Sequence, residues 1–410
     1  MRIALIGDLQ YAPGEDGQIR EYIHQVNGAK PDFVVFMGDM GCHGRTGTAE
    51  GMRACRDFLA ELRCPVAALM GNHDVEYRPD DPMARTPDKW YAELFGQEHP
   101  WQALERDGVF FLCLSVERQP EETLYTQHAL YASDEQYRWA KAQLESHRSM
   151  PTVVFSHAPV AGSGLRCFPP IHSAATDAHM DHTFDALRWR ELIRENPQIR
   201  VWCSAHFHMG HDYDAAIVHR DGVVHVSAGV LTSAARDGSR HTRILDVDEE
   251  CAIISTLNHL ENGLRKDAVV PMKNGERPEG RISIGLQDEL LLGEDKIRNA
   301  FACPEWNRAY VSTEKGKLWE FDRALQEISG AICLEQPVHA LSQEADRLYV
   351  ETEHGEIFSI RKDDGGRFER LSGYVPQRKQ IETALRGGCL PKMEYTIREA
   401  REGEYILLKF

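Results

Sequence analysis

Pro65-Val66-Ala67-Ala68-Leu69-Met70-Gly71-Asn72-His73-Asp74 decides how this chain is read. The apolar run is too short for a helix, ends on glycine, and is followed at once by an amide, an imidazole and a carboxylate. Such a run reads as a strand buried on both faces, and the polar triplet then stands at its carboxyl end. Ligands of open α/β sheets bind just outside those ends. The arrangement recurs along the chain. Arg2–Ile6 leads into Gly7-Asp8-Leu9-Gln10, and Asp32–Met37 into Gly38-Asp39. Thr152–Phe155 leads into Ser156-His157-Ala158-Pro159, and Ile199–Cys203 into Ala205-His206-Phe207-His208. Helical patterns separate these strands at Gln18–Asn27, Thr48–Leu62 and Phe184–Glu195. A further strand is predicted at Val109–Val116, followed by a helix with Ser133 and Gln136 at capping-box spacing. Val223–Val226 and a hairpin across Arg243–Leu257 close an α/β layered unit.

Five strand ends therefore deliver carboxylates, amides and imidazoles to one crevice. Oxygen and nitrogen donors without thiolates suit Mn, Fe or Zn ions, whereas an all-oxygen set would suit Ca or Mg.

Composition bounds the rest. With 47 Lys+Arg against 64 Asp+Glu, the formal charge is −17. That balance, with no cluster of basic residues, argues against binding a nucleic-acid polymer, whose affinity depends on Lys and Arg neutralising phosphates. No apolar run approaches the ~18 residues a bilayer demands, so no membrane partner is expected. Ten cysteines without a Cys-x-x-Cys pair read as reduced thiols, and Met1–Ile6 is too short for a secretion signal, so the expected compartment is the cytoplasm. After Asn262-Gly263 the texture changes. The expected division is 1–265 for the α/β unit, 266–280 for a linker and 281–410 for a small β-rich accessory domain. That domain carries a two-copy hairpin repeat, with Arg308–Trp319 aligning on Arg347–Phe358, and offers a surface for homo-oligomer formation.

The blocks Asp8-x-Gln10, Gly38-Asp39, Gly71-Asn72-His73-Asp74, His157 and Ala205-His206-x-His208 resemble, in residues and order, the calcineurin-like metallophosphoesterase superfamily. The resemblance spans roughly residues 1 to 260 and implies a sandwich of two mixed sheets flanked by helices. It implies two divalent metal ions, Mn before Fe or Zn: Asp8, Gln10, Asp39 and His208 around one, and Asp39, Asn72, His157 and His206 around the other. The implied reaction is hydrolysis of a small nucleotide-like or alcohol-phosphate ester, as a phosphodiesterase or diphosphatase. A metal-bridging hydroxide is then the nucleophile, His73 the proton donor, and Asp74 the group that orients His73. Asn72, His43 and Arg166 are the candidate substrate contacts. Gln10 departs from the usual histidine. An Asp-x-Gln start is similar to that of the manganese-dependent ADP-ribose/CDP-alcohol diphosphatases. The same metal pair would serve a phosphomonoesterase or protein phosphatase, and a non-catalytic scaffold stabilised by metal is the reading from another class.

Overall fold

The computed structural model describes residues 1–41, 49–76, 87–97, 99–120, 129–165, 179–181, 185, 188–212 and 214–284. Further along it describes 287–291, 297–303, 306, 308–313, 316–322, 327–334, 336–344, 346–361, 368–371 and 405–409. The chain divides into two compact units, with the change after Gly285.

The first unit begins β1 (Arg2–Ile6), α1 (Asp16–Gly28), β2 (Phe33–Phe36), α2 (Ala49–Leu59), β3 (Val66–Ala68) and α3 (Pro87–Phe95). It continues with β4 (Gln102–Arg106), β5 (Val109–Leu114), α4 (Asp134–Ser146), β6 (Thr152–Ser156), α5 (Arg188–Glu195) and β7 (Ile199–Ser204). It closes with β8 (Ile217–Arg220), β9 (Val223–Ser227), β10 (His241–Val247), β11 (Cys251–Asn258), β12 (Gly263–Pro271), β13 (Glu279–Gly280) and β14 (Ser283–Ile284). Two seven-stranded sheets result, in the orders β13-β12-β11-β10-β1-β2-β3 and β14-β8-β9-β7-β6-β5-β4. Strands β1, β2 and β3 run parallel, with Ile3 opposite Phe33 and Val34 opposite Val66, and β10 joins β1 antiparallel. In the second sheet β5, β6, β7 and β9 run parallel, with β4 antiparallel at one edge.

Period-two alternation assigns each face. Ile3, Leu5, Val35, Phe111, Phe155, Val201 and Val226 form one core between the sheets. Their neighbours Ala4, Ile6, Val34, Phe36, Leu112, Val154 and Trp202 pack with the helical residues Ile19, Phe58, Leu144 and Trp189. Both faces of the central strands are thus covered, which is why they read as unbroken apolar runs, and each fully buried side chain contributes about 1.5–3 kcal/mol. Ser133 caps α4, accepting the Gln136 N–H at 3.1 Å. The return half of the expected capping box is absent. Gln136 instead bonds both backbone groups of Ser115, and Glu117 accepts the Ser133 N–H at 2.7 Å.

The expected linker needs correction. Residues 266–271 lie in β12, which pairs with β11 along its length, and 279–280 form β13. The change of texture after Asn262-Gly263 suggests a connection here. Asp267 instead points inward, where the fully buried Arg243 donates to it at 2.5 Å. A buried guanidinium needs such a partner, so this acidic residue belongs to a strand.

The second unit has β15 (Gln287–Leu291), β16 (Ile297–Cys303), β17 (Arg308–Thr313), β18 (Lys317–Asp322) and β19 (Glu327–Cys333). It goes on to β20 (Val338–Glu344), β21 (Arg347–Thr352), β22 (Ile357–Arg361), β23 (Phe368–Leu371) and β24 (Tyr405–Lys409). Strands β16 to β19 and β20 to β23 form two antiparallel meanders of four strands each, while β15 pairs with β24. The hairpins seen in the sequence, β17-β18 and β21-β22, are the central pairs of these meanders. Tyr310, Leu318, Val338, Leu341, Leu348, Val350 and Ile360 form the unit's core.

Candidate metal centre

The connections leaving the parallel strands build the site. Asp8 and Gln10 follow β1, Asp39 follows β2 and Asn72 follows β3; His157 follows β6, and His206 and His208 follow β7. All seven side chains are buried, Asp39 completely. Asp8, Gln10, Asp39, His206 and His208 adopt left-handed backbone angles, with φ between 35° and 68°. That region costs a side-chain-bearing residue free energy, and its occupation here marks a place where surrounding structure enforces a particular presentation. Close packing does part of this. A Cβ on Gly71 would sit 2.7 Å from the Asp39 nitrogen and 2.7 Å from His157 Cε1, and would collide with the Asp39 carboxylate. Only glycine lets the β3 connection approach so near.

Asp39 faces two ways. Its Oδ1 lies 3.5 Å from His157 Nε2, and its Oδ2 lies 4.0 Å from His208 Nε2. Asp39, His157 and His206 form one group of ligand atoms within 4.8 Å of one another, and Asp8, Asp39 and His208 form a second. The imidazole tautomers suit this arrangement. His157 Nδ1 donates to the Met37 carbonyl at 2.8 Å, and His208 Nδ1 to the Ala234 carbonyl at 3.2 Å. Each ring then offers an Nε2 lone pair to the crevice, as a backbone acceptor arranges for metal-binding histidines.

Those lone pairs meet other acceptors. His157 Nε2 lies 3.1 Å from Asn72 Oδ1, and His208 Nε2 lies 3.2 Å from Asp8 Oδ1. Buried acceptors facing one another need positive charge between them. The electrostatics agree. Burial lowers the His208 pKa, but Asp8 and Asp39 outweigh it and push it up to about 9. Burial raises Asp39, yet His157, His73 and His208 together hold it well below the usual carboxylate range. A proton on His208 is the positive charge these carboxylates draw when no cation is bound, so the residues present fit a pair of divalent ions sharing Asp39.

Gln10 and Asp74 meet the cluster through contacts the sequence does not reveal. Gln10 reaches the cluster through its amide nitrogen, which donates to Asp39 Oδ2 at 3.1 Å and lies 3.2 Å from His208 Nε2. Ligation through the amide oxygen requires turning the amide over. The hydrogen bonds of Asp74 go to backbone. Its Oδ2 accepts the N–H groups of Asp39 and Gly71 and its Oδ1 that of Met40, all at 2.8 Å. The carboxylate clamps the β2 and β3 connections together, while the carboxylate beside the His73 ring is that of Glu76. Burial and the Asp39 charge push Asp74 up to about 7.

His73 is half-buried. Its backbone N–H donates to Asp39 Oδ1 at 3.0 Å, and its Nδ1 lies 3.5 Å from Glu76 Oε2. Burial lowers its pKa, but Asp39 and Glu76 outweigh it and raise the value above that of an ordinary histidine. Glu76 was missed in the sequence, where it is one of two acidic residues just after His73 and nothing local distinguishes them. His43 and Arg166 lie outside the described residues.

A family model for calcineurin-like phosphoesterases matches residues 1–210. A probable cyclic nucleotide phosphodiesterase of Synechococcus sp. is 25% identical over 178 residues, which are 43% of this chain and 58% of that protein. The chain thus spans a little over half the length of the curated relative it matches. Among solved structures, a purple acid phosphatase from yellow lupin aligns with 13% identity and a TM-score of 0.44, over 65% of this chain and 52% of that one. The phosphopantetheinyl hydrolase of Mycobacterium tuberculosis aligns with 18% identity and a TM-score of 0.36, over 56% and 89%. The family model covers 210 of 410 residues and ends just beyond His208, the last of the clustered histidines, so it takes in the whole centre; this chain belongs to the calcineurin-like phosphoesterase family.

Proposed function

We propose that this protein is a dinuclear-metal-dependent phosphoester hydrolase acting as a phosphodiesterase or diphosphatase on a small nucleotide-like or alcohol-phosphate substrate. Asp8, Gln10, Asp39 and His208 would hold one divalent cation, and Asp39, Asn72, His157 and His206 would hold the other. The observation that carries this reading is the two-sided carboxylate of Asp39, shared by both ligand groups. Mixed oxygen and imidazole donors favour Mn, with Fe or Zn as alternatives. When bound, such a pair polarises phosphoryl oxygens and lowers the pKa of water.

The chain's own residues do the rest. The His73 imidazole, whose protonated form Asp39 and Glu76 favour, gives its proton to the departing ester oxygen. Asn72 Nδ2 is buried with no hydrogen-bond partner among the described residues, and can donate to a phosphoryl oxygen while Oδ1 stays beside His157. The diester preference is supported by the name of the cyanobacterial relative, a probable cyclic nucleotide phosphodiesterase.

Turnover of bis-p-nitrophenyl phosphate and p-nitrophenyl phosphate with added Mn²⁺ tests the proposal. Faster diester cleavage, lost in Asp39→Ala, is expected; His73→Ala should cost about 10²–10⁴-fold on a phenyl ester, whose leaving oxygen needs the proton, and far less on the nitrophenyl esters. Undiminished activity in Asp39→Ala would overturn it.

A further inference from the structure

We propose that Glu76 is the positioning residue for His73, fixing its ring so that Nε2 carries the proton given to the leaving group; this rests on the hydrolase reading above. Three observations support it. Asp74, the nearer acidic residue in sequence, is held by three backbone N–H groups. Residues 72–74 form a turn that brings positions 73 and 76 to the same side, with Glu76 Oε2 3.5 Å from His73 Nδ1. The Glu76 side chain is 9% exposed against 27% for His73, so the carboxylate is set behind a ring that remains accessible.

The chemistry follows from the two ring nitrogens. Nδ1–H donates to Glu76, leaving Nε2–H as the transferable proton. A water oxygen forms the new bond to phosphorus and releases its proton to solvent. The ester P–O bond breaks, its electron pair goes to the leaving oxygen, and that oxygen takes the Nε2 proton. The neutral ring that remains is the Nδ1–H tautomer, which is the one Glu76 stabilises. Catalytic hydrogen bonds of this kind are often long before substrate binds and shorten in the complex.

The test compares two esters that differ in leaving group alone. Methyl phenyl phosphate expels a basic phenolate that needs a proton, whereas methyl p-nitrophenyl phosphate expels a stable anion. With the full chain in Mn²⁺, Glu76→Ala should lower kcat on the phenyl ester about 10- to 100-fold, the range typical of lost outer-shell support, with KM unchanged. The nitrophenyl ester should lose far less, and Glu76→Gln, which still accepts from Nδ1–H, should restore most of the loss. A second arm needs neither metal nor turnover. Long-range ¹H–¹⁵N spectra of the metal-free protein at alkaline pH should show His73 as the Nδ1–H tautomer, shifting to a mixture in Glu76→Ala. Equal losses on both esters, no loss on either, or an unchanged tautomer would overturn the proposal. A wild-type protein that cleaves no ester would refute the hydrolase reading instead, and the spectra would still decide what Glu76 does.

Discussion

Replacing Gly71 with alanine adds one methyl group at the most crowded point of the centre. The backbone there is not left-handed, so alanine meets no torsional penalty and the effect is purely steric. Its Cβ would lie 2.7 Å from both the Asp39 nitrogen and His157 Cε1, where ordinary contact begins at 3.4 Å. The Asp39 backbone and the His157 ring must therefore give by about 0.7 Å and the Asp39 carboxylate by more, and none of them is the free end of a flexible chain: the ring is buried and tied to the Met37 carbonyl, and the carboxylate is fully buried. Overpacking of this size costs about 1–3 kcal/mol of stability. The functional cost is larger in proportion, because the atoms displaced are those of the two-sided carboxylate and its histidine. A shift approaching 1 Å in a reacting centre costs about 10²-fold, and Mn²⁺ affinity should fall by about 10-fold or more. Urea unfolding and calorimetric titration with Mn²⁺ measure the two quantities. Gly28→Ala is the control. No neighbour lies within 4 Å of its Cβ, and at the exposed last residue of α1 it should change stability by no more than about 0.5 kcal/mol. If Gly71→Ala bound Mn²⁺ as tightly as wild type, the close approach of β2 and β3 connections would not be what shapes the centre.

Two further outcomes are expected. His208 is pushed up to about 9 in the metal-free protein by Asp8 and Asp39 against burial. Its contribution is complete below pH ~6.5 and lost as pH rises through ~9, so metal-free stability should fall by about 3 kcal/mol over that interval. Because a cation requires the neutral imidazole, saturating Mn²⁺ should remove this decline, and a flat metal-free profile in urea unfolding would contradict the assignment. Gln10→His replaces an amide that now points its nitrogen inward by a ring with a lone pair, at a backbone angle histidine tolerates. Calorimetry should show tighter Mn²⁺ binding, and unchanged affinity would remove Gln10 from the ligand set.

Much of the first unit is legible in the sequence because central parallel strands, covered on both faces, stand out as apolar runs ending in a small residue and a polar one. Asp8, Asp39, Asn72, His157, His206 and His208 could be placed at the strand ends for that reason. Edge strands lack this signal. β4 exposes residues at several positions, and its sequence Gln102-Ala103-Leu104-Glu105-Arg106 has no continuous apolar run. β12 hides behind Arg265-Lys266-Asp267, whose inward member is explained only by Arg243 on β10, far away in sequence. The choice between Asp74 and Glu76 as the partner of His73 depends on how a single turn closes. No composition or spacing rule separates them, because each is an acidic residue within three positions of the ring. The left-handed angles of Asp8, Gln10, Asp39, His206 and His208 are likewise imposed by packing from distant segments.

Two cations sharing Asp39 underlie the proposed hydrolysis, and counting them is its most direct test. Equilibrium dialysis of the full chain against Mn²⁺, followed by elemental analysis, should find about two ions per chain in the wild type and loss of both in Asp39→Asn, since a neutral amide cannot bridge two divalent ions. A wild type that retains no ion, or an Asp39→Asn variant that keeps both, would contradict it.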